Sequence, residues 1–206
     1  MNIQFAARGA VVFGIASIVA VGSAQMIGNF PPGAEVITSA DIDNLRHKAM
    51  GFTMGNNPYS LKVVDVRVSN YLTPSQLTLE IWSNSTANNP DQLLHQLIAP
   101  PATGAAFATA SFMVNGAFIF NPGTTYWLRM SGVLGSGPNW GGSSPGITPT
   151  GPGATHFGGR FTTNAGTSWA NSTGLNSYQI HAKLVPESAT FVAIGLGLAL
   201  LLKRRR

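Results

Sequence analysis

A chain of 206 residues with 9% charged side chains, 24 glycines, 13 prolines and no cysteine has little material for long surface helices. It has none for disulfides, thiol catalysis or thiolate metal sites. The formal net charge of +5 belongs to the chain ends: Arg8 and Lys203 to Arg206 supply five cations, and residues 25–184 keep seven basic against six acidic side chains. A segment so close to neutrality gives no ground for nucleic acid as a partner, because phosphate binding needs a basic face.

Met1 to Arg8 carries one cation, Gly9 to Val21 is apolar apart from Ser17, and Gly22-Ser23-Ala24 offers the small residues that a signal peptidase requires. The pattern predicts an N-terminal signal helix over 1–24, cleavage after Ala24 and a mature start at Gln25.

Residues 25–183 then read as one exported domain. Gln25 to Ala40, with Pro31-Pro32-Gly33, is an extended lead-in, and Ser39 to Lys48 suggests one helical turn capped by Ser39 or Asp41. Ala49 to Met54 is a strand, closed by the turn Gly55-Asn56-Asn57-Pro58. Leu61, Val64, Val66 and Val68 share a face with one slip, and Leu77, Leu79 and Ile81 alternate with Thr78, Glu80 and Trp82. Such alternation marks half-buried antiparallel strands and puts Asp65 and Glu80 on the solvent face. Asp91 to Ile98 is a short strand. Phe107 to Val114 and Ala117 to Phe120 flank Asn115-Gly116, a two-residue hairpin signal. Thr124 to Met130 is a strong β run. Ser131 to Gly159 is rich in Gly, Pro, Ser and Thr, which predicts a long loop around Trp140. Phe157 to Thr162 and Tyr178 to Leu184 close the domain. The sum is an all-β fold, a single antiparallel β-sandwich of jelly-roll type.

Candidate chemistry is sparse. His47, His95, His156 and His181 are scattered without metal-ligand spacing, no Gly-x-Ser-x-Gly elbow is present, and no pair of carboxylates stands out for glycoside hydrolysis. No catalytic residue, cofactor or metal is expected. Asp41-Ile42-Asp43-Asn44 is the best calcium candidate, but it lacks the glycine and distal glutamate of an EF-hand loop and reads better as a helix cap. Trp140 and Trp169 lie in polar, turn-rich stretches where indoles could stack on sugars, or else fold back to cap the sandwich. Tyr126 and Trp127 read as core.

The C-terminus has three parts: Val185-Pro186-Glu187-Ser188, an uncharged apolar stretch from Ala189 to Leu202, and Lys203-Arg204-Arg205-Arg206. The apolar stretch would span ~21 Å as a helix, short of a hydrocarbon core of roughly 30 Å. Four terminal cations cannot follow it into a protein core, yet they can snorkel to a headgroup layer and orient it. A membrane-inserted tail over 184–206 is the expectation. This arrangement resembles the PEP-CTERM sorting signal of Gram-negative bacteria, with Ser188 where that family usually has a second proline. The resemblance implies an exosortase-like membrane enzyme as processing partner and transient anchoring in the inner membrane. The final address would be the cell envelope or extracellular matrix, with extracellular polysaccharide as a further candidate partner.

A second resemblance covers 49–178. Gly51-Phe52-Thr53, Tyr59-Ser60-Leu61, Leu79-Glu80-Ile81-Trp82-Ser83-Asn84, Leu93-Leu94 and above all Gly123-Thr124-Thr125-Tyr126-Trp127-Leu128 look like the choice-of-anchor R domain of bacterial exported proteins. It implies an anchored β-sandwich and carries no activity. The expected role is structural or binding. A carbohydrate-binding module using the loop tryptophans is the alternative, and an envelope hydrolase a third.

Overall fold

A computed structural model describes residues 22–30, 34–37, 41–135, 137–144 and 146–186, and among them the chain forms thirteen strands, most of them from alternation of β-branched and aromatic residues with polar ones. They are β1 (Ala24–Gly28), β2 (Ala34–Ile37), β3 (His47–Met54), β4 (Tyr59–Ser69), β5 (Leu77–Asn84), β6 (Pro90–Gln96), β7 (Ala108–Met113), β8 (Ile119–Phe120), β9 (Thr125–Gly132), β10 (Asn139–Ser144), β11 (Ala154–Thr162), β12 (Ala170–Ser172) and β13 (Tyr178–Leu184). All pairings are antiparallel, and they build two sheets. The terminal segments expected to be helical, with Glu187, Ser188 and Lys203 to Arg206, lie outside the described residues. Among the described residues no helix is long and apolar enough to cross a membrane.

The seven-stranded sheet is centred on β4. One side of β4 carries β13 and, past Val66, β10; β1 pairs with β13 and β2 with β10. The other side carries β7 and then β8. The slip seen in the valine pattern is a register shift opposite His181 and Ala182. The six-stranded sheet runs β12-β11-β3-β9-β5-β6. Leu61, Val64, Val66, Val68, Phe112 and Ile180 of the first sheet meet Met50, Phe52, Leu79, Ile81, Leu128 and Met130 of the second in one buried core. Each such side chain contributes on the order of 2 kcal/mol by leaving water. Reciprocal backbone bonds between Ile98 and Met113 (2.8 and 3.1 Å) tie the sheets together at one edge; Gly153 N to Met26 O (3.0 Å) ties them at the other.

Three expectations are corrected. Asn115-Gly116 does not reverse the chain: β7 and β8 both pair with β4, so this segment (Gly116 at φ +80°) is a bulged interruption in one long edge strand. Val114 N to Lys62 O and Leu61 N to Phe118 O bridge the interruption. Residues 131–159 are not one loop, because β10 lies within them. Its Gly141 is needed where a Cβ would stand 2.7 Å from the Phe107 ring. Residues 41–46 form a bend, and His47 and Lys48 already belong to β3.

Candidate functional site

Every second residue of the six-stranded sheet points away from the core, and there the chain has placed side chains unusual for a solvent face. The register aligns Glu80, Arg129, Ala49 and Arg160 in one row across β5, β9, β3 and β11, and Trp82, Trp127 and Gly51 in the next. Gly51 makes room for a ring: a Cβ there would stand 2.8 Å from the Trp127 indole. Trp127 is closed over by Phe157, edge to face at 5.7 Å, and by the Arg160 guanidinium at 5.4 Å. Its Nε1 donates to Asn84 Oδ1 at 2.8 Å. Trp127 is thus fully buried, as expected, but on the outer face and not in the main core.

Beside it, Arg129 is buried against the Trp82 ring, 4.1 Å from its centroid, with the half-buried Trp169 indole at 5.9 Å. Its charge faces Glu80 Oε2 at 3.9 Å, and that carboxylate oxygen also accepts from Trp82 Nε1 at 2.7 Å. Arg129 donates to His47 Nδ1 at 2.7 Å, while His47 Nε2 bonds Asn44 O at 3.1 Å. A guanidinium can only donate and a carbonyl only accept, so His47 is the neutral Nε2–H tautomer. Burial, and then the Arg129 charge, hold its pKa below the ordinary imidazole value. Burial likewise lowers Arg129, against the pull of Glu80. Glu80, expected in solvent, is buried because it satisfies both an indole and a guanidinium.

Trp169 therefore joins a constellation, whereas Trp140 leaves the candidate list. Trp140 is 2% exposed, part of the main core, and its Nε1 donates to Ser177 O at 2.9 Å. It caps the sandwich from inside, and no ligand reaches it. Asp43 is occupied as well: Oδ1 accepts from the Leu45 and Arg46 amides at 2.8 and 2.7 Å, and Oδ2 from Arg46 Nε at 2.7 Å. Burial raises its pKa, but these bonds outweigh burial and leave it below the usual carboxylate range. Its role is to cap a bend. The histidines stay apart: His47 lies on the outer face, His95 stacks on Phe118, His156 sits in β11, and His181 pairs with Asp65 at 3.0 Å on the other sheet. Among the described residues no group of three potential ligands converges on a metal.

At the chain ends, Ala24 and Gln25 open β1 opposite Ala182 and His181. Val185 N makes a bond to Pro58 O (3.0 Å), and Pro186 is exposed directly after it.

A cavity of about 320 Å³ adjoins the His47–Arg129 cluster at the β3–β11–β12 end of the six-stranded sheet, its wall including His47, Ile42, Arg46, Lys48, Phe161 and Ser172. Sequence reasoning passed over Lys48, Glu80, Trp82 and Arg129. The available signal was phase: Lys48 falls in step with Met50, Phe52 and Met54, and Glu80 and Arg129 both fall on the outward phase of their strands. No model of a known protein family matches the chain, and no curated protein matches it.

Proposed function

We propose that the protein is an exported, non-catalytic β-sandwich of the cell envelope or extracellular matrix, sorted and processed at its C-terminal tail by an exosortase-like membrane enzyme. The observation that carries this reading is the order of segments. A signal-like N-terminus and a tripartite tail bracket the chain, and the domain between them begins and ends on neighbouring strands, with Ala24 beside Ala182. The last backbone tie described falls on Val185, the first residue of the Val185–Ser188 motif, and lies beyond β13, so a membrane enzyme could reach Pro186 without unravelling that strand. Replacing Pro186 and Glu187 together by alanine leaves the domain's strands intact and should block processing. The variant should then accumulate in the membrane fraction at higher mass than the wild type. Equal mass and equal distribution of the two forms would remove the sorting assignment.

A second reading, glycan binding, is favoured by Trp82 and Trp169 being only half-buried beside Arg129, with Arg160, bonded to Asn89, over the neighbouring Trp127. Indole faces and planar guanidinium donors suit sugar rings and hydroxyls. Titration with the host's own polysaccharide should quench tryptophan emission, and Trp169→Ala should abolish the change while the fold persists. Unchanged binding by that variant would reject this face as the platform.

A further inference from the structure

Lys48 breaks the rule of its own strand. The inward positions of β3 are Lys48, Met50, Phe52 and Met54, and a lysine in that series is 5% exposed. Burying an ammonium is costly, and a local violation of that kind tends to mark a function. Its Nζ lies 3.4 Å from Oδ1 of Asn176, a residue 128 positions away and 1% exposed. Asn176 stands just before β13, so the two side chains reach each other from opposite sheets. The Asn176 amide is held in place: its Nδ2 donates to Trp140 O at 2.8 Å, and its backbone carbonyl accepts from Asn29 Nδ2 at 3.3 Å. The Lys48 amine is thus held in hydrogen-bond contact with the carboxamide whose carbon it would have to reach, and such fixed pairing of two reacting groups lowers the entropic part of a barrier.

We propose that Lys48 and Asn176 join in an intramolecular isopeptide bond that staples the two sheets. The neutral amine Nζ attacks Cγ of Asn176, and a new Nζ–Cγ amide bond forms. The Cγ–Nδ2 bond breaks, the proton given up by Nζ passes to Nδ2, and ammonia leaves. No oxidant, reductant or cofactor enters the balance. The nucleophile must be uncharged, and burial pushes Lys48 down to about 8, so a useful fraction of the amine is free near neutral pH. Lys48 lines the cavity, so the reacting pair lies beside a space that opens to solvent. The chain has no cysteine, so an amide crosslink does for it what disulfides do for other exported domains, without depending on redox conditions.

The test is a peptide map of the wild-type full chain after incubation at mildly alkaline pH. The expected product is a branched tryptic peptide joining the Lys48 and Asn176 segments, one ammonia (about 17 Da) lighter than their sum and uncut after Lys48. Gln25, once it is an amino terminus, can lose the same mass by cyclising, so the location of the loss decides and not the total. Asn176→Ala and Lys48→Arg should each abolish the branched peptide while leaving any loss at Gln25. A wild-type map with cleavage after Lys48 and an unmodified Asn176 peptide in full yield overturns the proposal. That map is decisive even if both variants fail to fold.

Discussion

Arg129 occupies a position where a β-sheet normally meets water, and its neighbours replace most of the solvent that it lost, although its Nε is buried without a hydrogen-bond partner. Glu80 faces its charge, His47 accepts one donor, and Trp82 covers its plane. His47 can accept only while it is neutral, which couples the cluster to pH. Its pKa is lowered in the fold, so as pH drops below the ordinary value of about 6.5 the unfolded chain takes up a proton that the folded chain refuses. Stability should therefore fall as pH falls through that window, and stop falling on this account once the folded-state pKa is passed. His95 and His156, also lowered by burial, add to the slope with the same sign. The His47→Gln variant should show a shallower drop in denaturation midpoint between pH 7.5 and pH 5.5 than the wild type. An unchanged slope would mean that the His47–Arg129 contact carries no linkage.

At the scale of elements, the strands whose sequence alternates cleanly were legible: β4, β5, β9 and β13 lie close to where their patterns put them. Phase along a strand reports which residues share a face, but it does not report which faces are covered. So Glu80, expected in solvent, is found buried, and Trp127, buried as expected, is found on the outer face. A loop-like composition also hid β10, because Gly141 there makes room for the Phe107 ring and does not reverse the chain. Asn115-Gly116 has the chemistry of a hairpin, but the apolar face continuing through Phe118 and Phe120 keeps the chain running along β4. Phe118, Phe120 and Tyr126 form an edge-to-face group with centroids 5.0 to 6.2 Å apart, and this holds β8 in place. Gly51 shows the same dependence on an unseen neighbour. Gly51→Ala would drive a methyl into the Trp127 ring and force it off Asn84. The cost should be about 1–3 kcal/mol of unfolding free energy, the range for overpacking. A helical host would gain from the same change, so a neutral or stabilising effect in chemical denaturation would contradict the packing described for this face.

The described residues form a sandwich whose first and last strands sit side by side, with β13 between β1 and β4. Force on a C-terminal anchor would be taken first by β13, through its bonds to both neighbours. The Lys48–Asn176 staple lies just upstream of β13, and closing a loop of 128 residues would add about 5 kcal/mol by restricting the unfolded chain. A domain with no disulfides gains most from such a restraint. The outer-face cluster and the cavity could be found only once the sheets were assembled, whereas the proposed sorting segments rest on the sequence alone. The most direct test of the sorting account is the intact mass of the wild-type protein recovered from the envelope of its host. The account predicts a chain running from Gln25 to about Pro186, with both end segments removed. A mass that retains Ala189 to Arg206 would contradict it and leave a plain membrane anchor in place of a processed signal.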